Sequence, residues 1–335
     1  MVEINRQLLS RIDALPLSER NQQWKQAMKA SGWKLFADRE KWTVASWRET
    51  EGEDIQIRRA KLLKKIVENV EIRIHDFDVI VGRLTPGVIG CATAFDVCGD
   101  YIPDIWKDTD ALNITMNASV GMDPESIEIL RASAREFRGK TAPEMTYKAW
   151  EAVVGPWIKD AEAAKIKDPT LDSGIFAQTT SVLMWKKILG HGLKSFIHEA
   201  QDHIDAFIAN RETNIDKIYF WKSAIIVCEA VIHHARRYAA LAREMAEAEM
   251  RPDRKAELLQ IANVCEYVPE NPARTFQEAL QSMAIVGVCK NYEHPMHNNP
   301  QWGRGDQYLY SYFIQDIKNG SLKLEKAAEM LHPFS

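Results

Sequence analysis

The stretch Asn271–Ser282 reads NPARTFQEALQS and opens the longest nearly uninterrupted apolar pattern of the sequence. Thr275 and Glu278 have the spacing of a capping box, in which two side chains satisfy free backbone amides at a helix start. Apolar residues then continue to about Tyr292. The stretch therefore predicts a capped, apolar helix over residues 275–292.

Further helices are predicted on both sides of this stretch, because apolar residues recur at spacings of three and four. A stripe runs from Ile218 to Ala235 in one long helix, with Thr213 and Asp216 as its cap. The other predicted helices cover residues 54–70, 123–137, 254–265, 306–318 and 324–331. Residues 71–82 alternate in polarity, which predicts one or two short strands. The chain is therefore expected to be predominantly α with a few short strands.

Two domains are predicted from this pattern. Residues 1–53 are polar and rich in tryptophan, which suggests an N-terminal arm with short helices. Residues 54–335 are expected to form the main body. The arginines and lysines of residues 58–65 are expected to be the solvated face of a helix.

Composition excludes several classes of protein. The chain has 335 residues with a formal net charge of -4, so it has no bulk attraction for nucleic acid or anionic membranes. No apolar run approaches the length of a membrane span, and the N-terminus has no secretory pattern. Five widely spaced cysteines form neither a disulfide framework nor a zinc motif. A cytoplasmic protein is expected.

Local motifs alone give little chemistry. Metal binding is not expected, because the one Glu-x-x-His spacing, at Glu329, lies beside a proline. The loop His294–Asn299 places two imidazoles and two amides after an apolar helix. Such a loop is equally consistent with a functional site and with a turn that bonds to its own backbone.

Several segments together resemble the glycyl radical enzymes of the pyruvate formate-lyase superfamily. Asn271–Ser282 resembles one signature of that family, and WGRGDQYLY at Trp302–Tyr310 is similar to another that commonly reads GRFDQY. The segments 59–82 and 217–243 resemble the family in the same order and spacing. The resemblance covers nearly the whole chain from about residue 55.

This resemblance implies the N-terminal part of a ten-stranded α/β barrel wrapped in helices. A glycyl radical, installed by a radical S-adenosylmethionine activating enzyme with an iron–sulfur cluster, would generate a thiyl radical that attacks the substrate. The Cys-x-Glu loop and the C-terminal glycine motif of the family are absent from residues 1–335. We therefore expect no catalytic residue and no cofactor in this chain, which would be inactive alone.

The resemblance also implies partners and a substrate pocket. Expected partners are the remainder of the barrel, the activating enzyme, further copies in a homo-oligomer and a small-molecule substrate. Relatives place a serine near the substrate at the position of Ser282. The remaining substrate-binding candidates are Thr180, Met184, Trp185, His294, His297 and Asn298.

The reaction is predicted from residues 179–185, which align with a GHxxPDY stretch of diol, glycerol and choline lyases. Thr180 and Met184 replace its histidine and aspartate, so two polar contacts for a hydroxylated substrate are missing. The segments 96–101 and 297–302 resemble the arylacetate decarboxylases, and Met184 and Trp185 would suit an aromatic ring. Radical decarboxylation of an arylacetate is therefore the first hypothesis. The alternatives are a dehydratase or a C–C lyase or synthase of the same superfamily, and a stand-alone helical scaffold or binding protein.

Overall fold

The computed structural model describes residues 15–92, 120–121, 124–141, scattered positions between 145 and 160, 182–293 and 302–331. Most of these residues are helical. In chain order the elements are α1 (Glu19–Ser31), β1 (Trp33–Phe36), α2 (Asp38–Glu49), α3 (Ile55–Asn69), β2 (Cys91–Ala92), β3 (Val120–Gly121), α4 (Pro124–Phe137), α5 (Trp185–His191), α6 (Leu193–Ala209), α7 (Ile215–Ala248), α8 (Pro252–Tyr267), α9 (Phe276–Glu293), α10 (Gly305–Lys318) and α11 (Leu324–Leu331).

The described strands form one small parallel sheet with β1 in the middle. Leu35 of β1 pairs with Cys91 of β2, and Trp33 pairs with Val120 of β3. The central strand therefore comes from the segment that the sequence suggested was an arm. The ten-stranded barrel stays a prediction.

The approach to β2 is tight because it passes over the aromatic ring of Phe36. A Cβ atom at Gly90 would lie 2.5 Å from the Thr85 hydroxyl oxygen and 2.6 Å from the Phe36 ring. Such distances are well inside van der Waals contact, so the backbone can pass here only as glycine.

Helix α9 lies at the centre of the helical body. Fourteen of its eighteen residues are buried, and they lie on every side of the helix. The predicted capping box is present in part: the Thr275 hydroxyl accepts from the Glu278 amide at 3.2 Å, and the Glu278 carboxylate accepts from the Arg274 amide at 2.7 Å. Asp316 of α10 accepts the amide of Phe276 at 2.8 Å. The start of α9 is therefore fixed to a neighbouring helix as well as capped.

Helix α7 confirms the long helix predicted from the Ile218–Ala235 stripe. Ile218, Cys228, Ile232 and Ala235 are buried, and α7 packs against α3, α6 and α8. Most of the stripe is thus covered within this chain, and its remaining members Trp221 and Ile225 are partly buried against α6. The predicted cap was wrong by one residue, because Asn214, not Thr213, accepts the Asp216 amide.

The strands predicted over residues 71–82 are absent from the structure. Their hydrogen bonds are made by side chains: Gln281 on α9 accepts from the Val81 amide at 3.0 Å and donates to the Val81 carbonyl at 2.6 Å. Arg254 on α8 donates to the carbonyls of His75 and Asp78, each at 2.9 Å. An extended segment paired by side chains shows the alternating pattern of a strand without belonging to a sheet.

A buried ion pair joins the N-terminal region to the body. Arg39 and Glu40 are both almost fully buried and lie 3.2 Å apart. Arg39 Nε also donates to the Tyr292 carbonyl at 2.8 Å, and Ser133 on α4 donates to Glu40 at 2.7 Å. The boundary at residue 53 stays a prediction, but residues on its two sides are in direct contact.

A neutral histidine lies inside the core formed by α3, α7 and α9. His234 is fully buried, and its Nδ1 is 3.1 Å from the Val67 carbonyl, between the rings of Tyr238 and Tyr292. Burial lowers the pKa of this imidazole to about 4. The histidine is therefore uncharged in the folded protein at neutral pH.

No helix within the described residues is long and apolar enough to cross a membrane.

The first prediction concerns the buried ion pair. Arg39→Met removes one partner and leaves the Glu40 carboxylate in the core, so we expect a loss of about 3 kcal/mol of unfolding free energy. Arg48→Met is the matched control, because its ion pair with Glu136 is exposed and contributes about 1 kcal/mol or less. Urea unfolding followed by circular dichroism measures both. Equal losses in the two variants would contradict the prediction.

The second prediction is that the unfolding free energy depends on pH through His234. Since the folded pKa of His234 is about 4 and the unfolded value is about 6.5, the unfolded chain binds more protons between these values. Stability is therefore complete above pH 6.5 and is lost as the pH falls toward 4. Between pH 7.5 and pH 5 we expect the titration of His234 to lower the unfolding free energy by about 2 kcal/mol.

His234→Asn keeps a donor for Val67 and cannot titrate, so its unfolding free energy should fall by about 2 kcal/mol less than that of the wild type over this range. The exposed His198→Asn is the control and should follow the wild type. Parallel pH profiles for the wild type and His234→Asn would show that another group governs the acid response.

Candidate functional site

A cavity of about 370 Å³ lies between α3, α7 and α9, and we call it the central cavity. Its volume is within the range of small-molecule sites, roughly 300–1,000 Å³. Its lining combines apolar and polar side chains: Gln56, Arg59, Ala60, Leu63, Leu183, Ser223, Val227, Val231, Val286, Cys289, Lys290 and Glu293.

The predicted substrate-contact residue Ser282 lies on the row of α9 that leads into the central cavity. Val286, Cys289 and Glu293 follow it at four, seven and eleven residues, which places all four on one side of an α-helix. Ser282 is buried, and no described residue forms a hydrogen bond with its hydroxyl. The hydroxyl is not bonded back to its own helix, as many helical serines are. It can therefore bind a ligand or a residue outside the described part.

Two residues of the cavity lining are close in sequence to predicted site residues that the structure does not describe. Leu183 follows Thr180 by three residues, and Glu293 immediately precedes His294. Thr180, His294, His297 and Asn298 themselves lie outside the described residues. Their contact with substrate stays a prediction.

The polar rim of the central cavity carries two cations and one anion. Arg59 on α3 donates from Nε to Glu293 on α9 at 2.9 Å. Lys290 lies one helical turn before Glu293 and has no ion pair or hydrogen bond among the described residues. Partial burial lowers the pKa of the Lys290 ammonium. The rim therefore has an excess of positive charge.

The expectation that the basic residues 58–65 are all solvated was wrong at Arg59. Lys61 and Lys65 do form surface ion pairs with Glu53 and Glu49. Arg59 is instead half-buried at the cavity, because its position on α3 points toward α9. No signal in the local sequence distinguishes it from its neighbours.

Met184 and Trp185 lie at a second cavity of about 770 Å³ between α5 and α10. Met184 is 62% exposed and Trp185 only 1% exposed, so the two side chains do not form one enclosed apolar pocket. The Trp185 ring packs against Trp302 with ring centroids 5.7 Å apart. Only Leu183 lines both this cavity and the central one. Met184 is therefore separated from the Ser282 row.

A third cavity, which the sequence did not predict, is an apolar groove of about 500 Å³ between α9, α10 and α11. Phe276, Leu280 and Met283 form its floor, and Leu309 and Phe313 form one wall. Spacings of three and four in these helices are the signal that could have revealed it. Of the predicted substrate-binding residues that the structure describes, Ser282, Met184 and Trp185, none lines this groove.

The buried cysteines have unreactive surroundings. Burial raises the pKa of Cys228 to about 11, and raises the pKa values of Cys265 and Cys289 further. Thiolate chemistry at neutral pH is therefore disfavoured at all three positions. Within the described residues no group of three histidine, cysteine or carboxylate side chains could hold a metal ion.

Ser282→Ala should leave the unfolding free energy within about 0.5 kcal/mol of the wild type, because no described partner is lost. Ser133→Ala is the matched buried control, since its hydroxyl donates to the Glu40 carboxylate, and we expect it to cost about 2 kcal/mol. Urea unfolding at pH 7.5 measures both. A large loss in Ser282→Ala would reveal a structural role for this hydroxyl.

The family described as pyruvate formate lyase-like matches residues 8–335 of this chain. Isethionate sulfite-lyase of Oleidesulfovibrio alaskensis is 32% identical over 310 residues, which are 89% of this chain and 35% of that protein. The chain thus spans about a third of the length of that relative.

A solved structure from Roseburia inulinivorans, described for 1,2-propanediol dehydration, superposes with a TM-score of 0.83 and 28% identity. It covers 95% of this chain, which corresponds to 37% of that chain. Indoleacetate decarboxylase of Tractidigestivibacter scatoligenes is 33% identical over 144 residues, only 43% of this chain and 16% of that protein. The similarity to an arylacetate decarboxylase is thus confined to a part of the chain.

Proposed function

This chain belongs to the pyruvate formate lyase-like family, and we propose that it forms the substrate-pocket portion of a glycyl radical lyase that eliminates a leaving group from a small substrate. The observation that carries the proposal is similarity over 89% of the chain to isethionate sulfite-lyase. The fold similarity to a protein of 1,2-propanediol dehydration supports the same class of reaction. Cleavage of a C–S or C–O bond is therefore preferred to decarboxylation.

The chemistry of the proposed reaction is a radical elimination. A hydrogen atom leaves one carbon of the substrate, sulfite or water leaves the neighbouring carbon, and a hydrogen atom returns to the product. A glycyl radical supplies this radical chemistry, and a radical S-adenosylmethionine activating enzyme with an iron–sulfur cluster installs it. We assign no cysteine or glycine of this chain to these steps.

The role that we propose for this chain is to bind and orient the substrate away from water. The central cavity and the Ser282 row form one side of the pocket, and Thr180, His294, His297 and Asn298 are proposed as further substrate contacts. Further copies of the protein and the remainder of the barrel are the proposed partners.

Arylacetate decarboxylation is the second candidate, favoured by the 33% identity to indoleacetate decarboxylase over 144 residues. In the sequence, this reaction is supported by the apolar pocket expected from Met184 and Trp185. Met184 is exposed and Trp185 is packed on Trp302, so this pair does not enclose an aromatic ring in the described structure. The stand-alone scaffold is a third candidate, and the stripe on α7 does not argue against it because most of that stripe is covered within the chain.

The test uses the gene product that contains this sequence, activated without oxygen by its activating enzyme. We expect a glycyl radical signal in electron paramagnetic resonance, and sulfite from isethionate or propionaldehyde from 1,2-propanediol. The same protein without activating enzyme is the control. Carbon dioxide released from an arylacetate, with no elimination product, would establish the second candidate. Absence of both a radical and a product would favour the scaffold.

A further inference from the structure

The central cavity has an apolar floor and a polar rim that come from three helices distant in sequence. Val227 and Val231 on α7 and Val286 on α9 form the apolar part. Lys290 and Ser223 stand beside them on the same two helices. A ligand that fits this lining has a short apolar or weakly polar body and one strongly polar end.

Lys290 is the charged group of the rim that has no counterion among the described residues. Arg59 and Glu293 neutralise each other through their ion pair, so the net charge of the rim is set by the ammonium of Lys290. The ammonium is partly removed from water, and an anion beside it would restore the lost stabilisation. A cationic ligand would be repelled, and a neutral one would leave the charge uncompensated.

Ser223 supplies a second unmet group at the same cavity. Its hydroxyl oxygen is buried and has no hydrogen-bond partner among the described residues. Buried polar atoms in native proteins are nearly always paired, because an unpaired one costs about 1–3 kcal/mol. A hydroxyl can donate to an anionic oxygen, so the same ligand can satisfy both groups.

We propose that the central cavity binds the carboxylate or sulfonate of a small organic acid through the Lys290 ammonium, with the Ser223 hydroxyl as a second donor. This inference rests on the proposed function, since it makes the central cavity part of the substrate pocket and the substrate an anion. Lys290 thereby selects anionic substrates over neutral diols. Val227, Val231 and Val286 pack on the body of the acid, and Ser282 lies about one helical turn before Val286 on the same row of α9.

The first arm of the test compares ligands of equal shape on the gene product that contains this sequence, without activation. Propanoate and propanamide differ in charge and hardly in size, and ethanesulfonate adds the alternative head group. Isothermal titration calorimetry at pH 7.5 should show at least tenfold tighter binding of propanoate or ethanesulfonate than of propanamide. The better of the two anions identifies the head group. Equal binding of propanamide, or binding of none of the three, overturns the proposal.

The second arm uses variants that change the charge of the rim in opposite directions. Lys290→Gln should weaken binding of the preferred anion about ten- to a hundredfold, as expected for loss of a charge-assisted hydrogen bond. Glu293→Gln should strengthen it, because an anion is removed from the rim. Ser223→Ala should weaken it about three- to tenfold. Unchanged affinity in Lys290→Gln overturns the proposal.

The matched control is Lys222→Gln, which removes an exposed lysine next to Ser223 and outside the cavity lining. Its affinity should equal that of the wild type, whereas an equal loss would show a nonspecific effect of net charge. Binding needs no radical, so this test is separate from the assay of elimination. An active lyase whose substrate binds independently of Lys290 defeats only this inference. Anion binding without any elimination activity defeats only the proposed reaction.

Discussion

The structure depends on the need to cover α9 on every side. A helix that is apolar all round cannot lie at a surface, because each exposed apolar side chain forfeits roughly 1.5–3 kcal/mol of burial. The chain meets this need with different elements: α10 and α11 on one side, α3 and α7 on another, and the extended residues 79–84 on a third. The central cavity and the apolar groove are the places where this cover is incomplete. Both cavities are thus consequences of packing around one helix.

Polar groups inside this packing are paired in ways that hold distant segments together. Gln281 substitutes for a neighbouring strand at Val81, and Arg39 joins the N-terminal region to the end of α9. A buried charge or amide is expensive unless it is paired, so each of these contacts tolerates only one arrangement of the segments. At the central cavity Ser223 and Lys290 have no partner among the described residues.

The sequence predicted helices well and strands poorly, for a physical reason. The 3.6-residue period of α8 and α10 is visible in the local sequence, so their bounds fall within a few residues of the prediction. Helix α7 was predicted as one long helix, but it extends beyond the Ala235 end of the stripe to Ala248. Residues 71–82 have the period of a strand, but their partners are Gln281 and Arg254, which no local pattern reveals. The central position of β1 in the sheet was not predicted, for the same reason. Its partners lie near residues 91 and 120.

The residues of the candidate site were also predicted only in part. Ser282 was identified from a motif and lies where a substrate contact is plausible on physical grounds. Arg59, Ser223 and Lys290 were missed, since they meet only when three helices pack together. The hypothesis of an aromatic substrate rested on Met184 and Trp185 as neighbours in sequence, and their very different exposures separate them in space.

The hydrogen bond from Arg39 to the Tyr292 carbonyl can form only late in the synthesis of the chain. Its two residues are 253 positions apart, and a ribosome adding about 5–20 residues per second needs roughly 13–50 s to cover that distance. During this interval the guanidinium lacks this carbonyl acceptor, and the surfaces that α9 later fills stay open to water. The nascent chain is therefore exposed to aggregation until α9 has been synthesised.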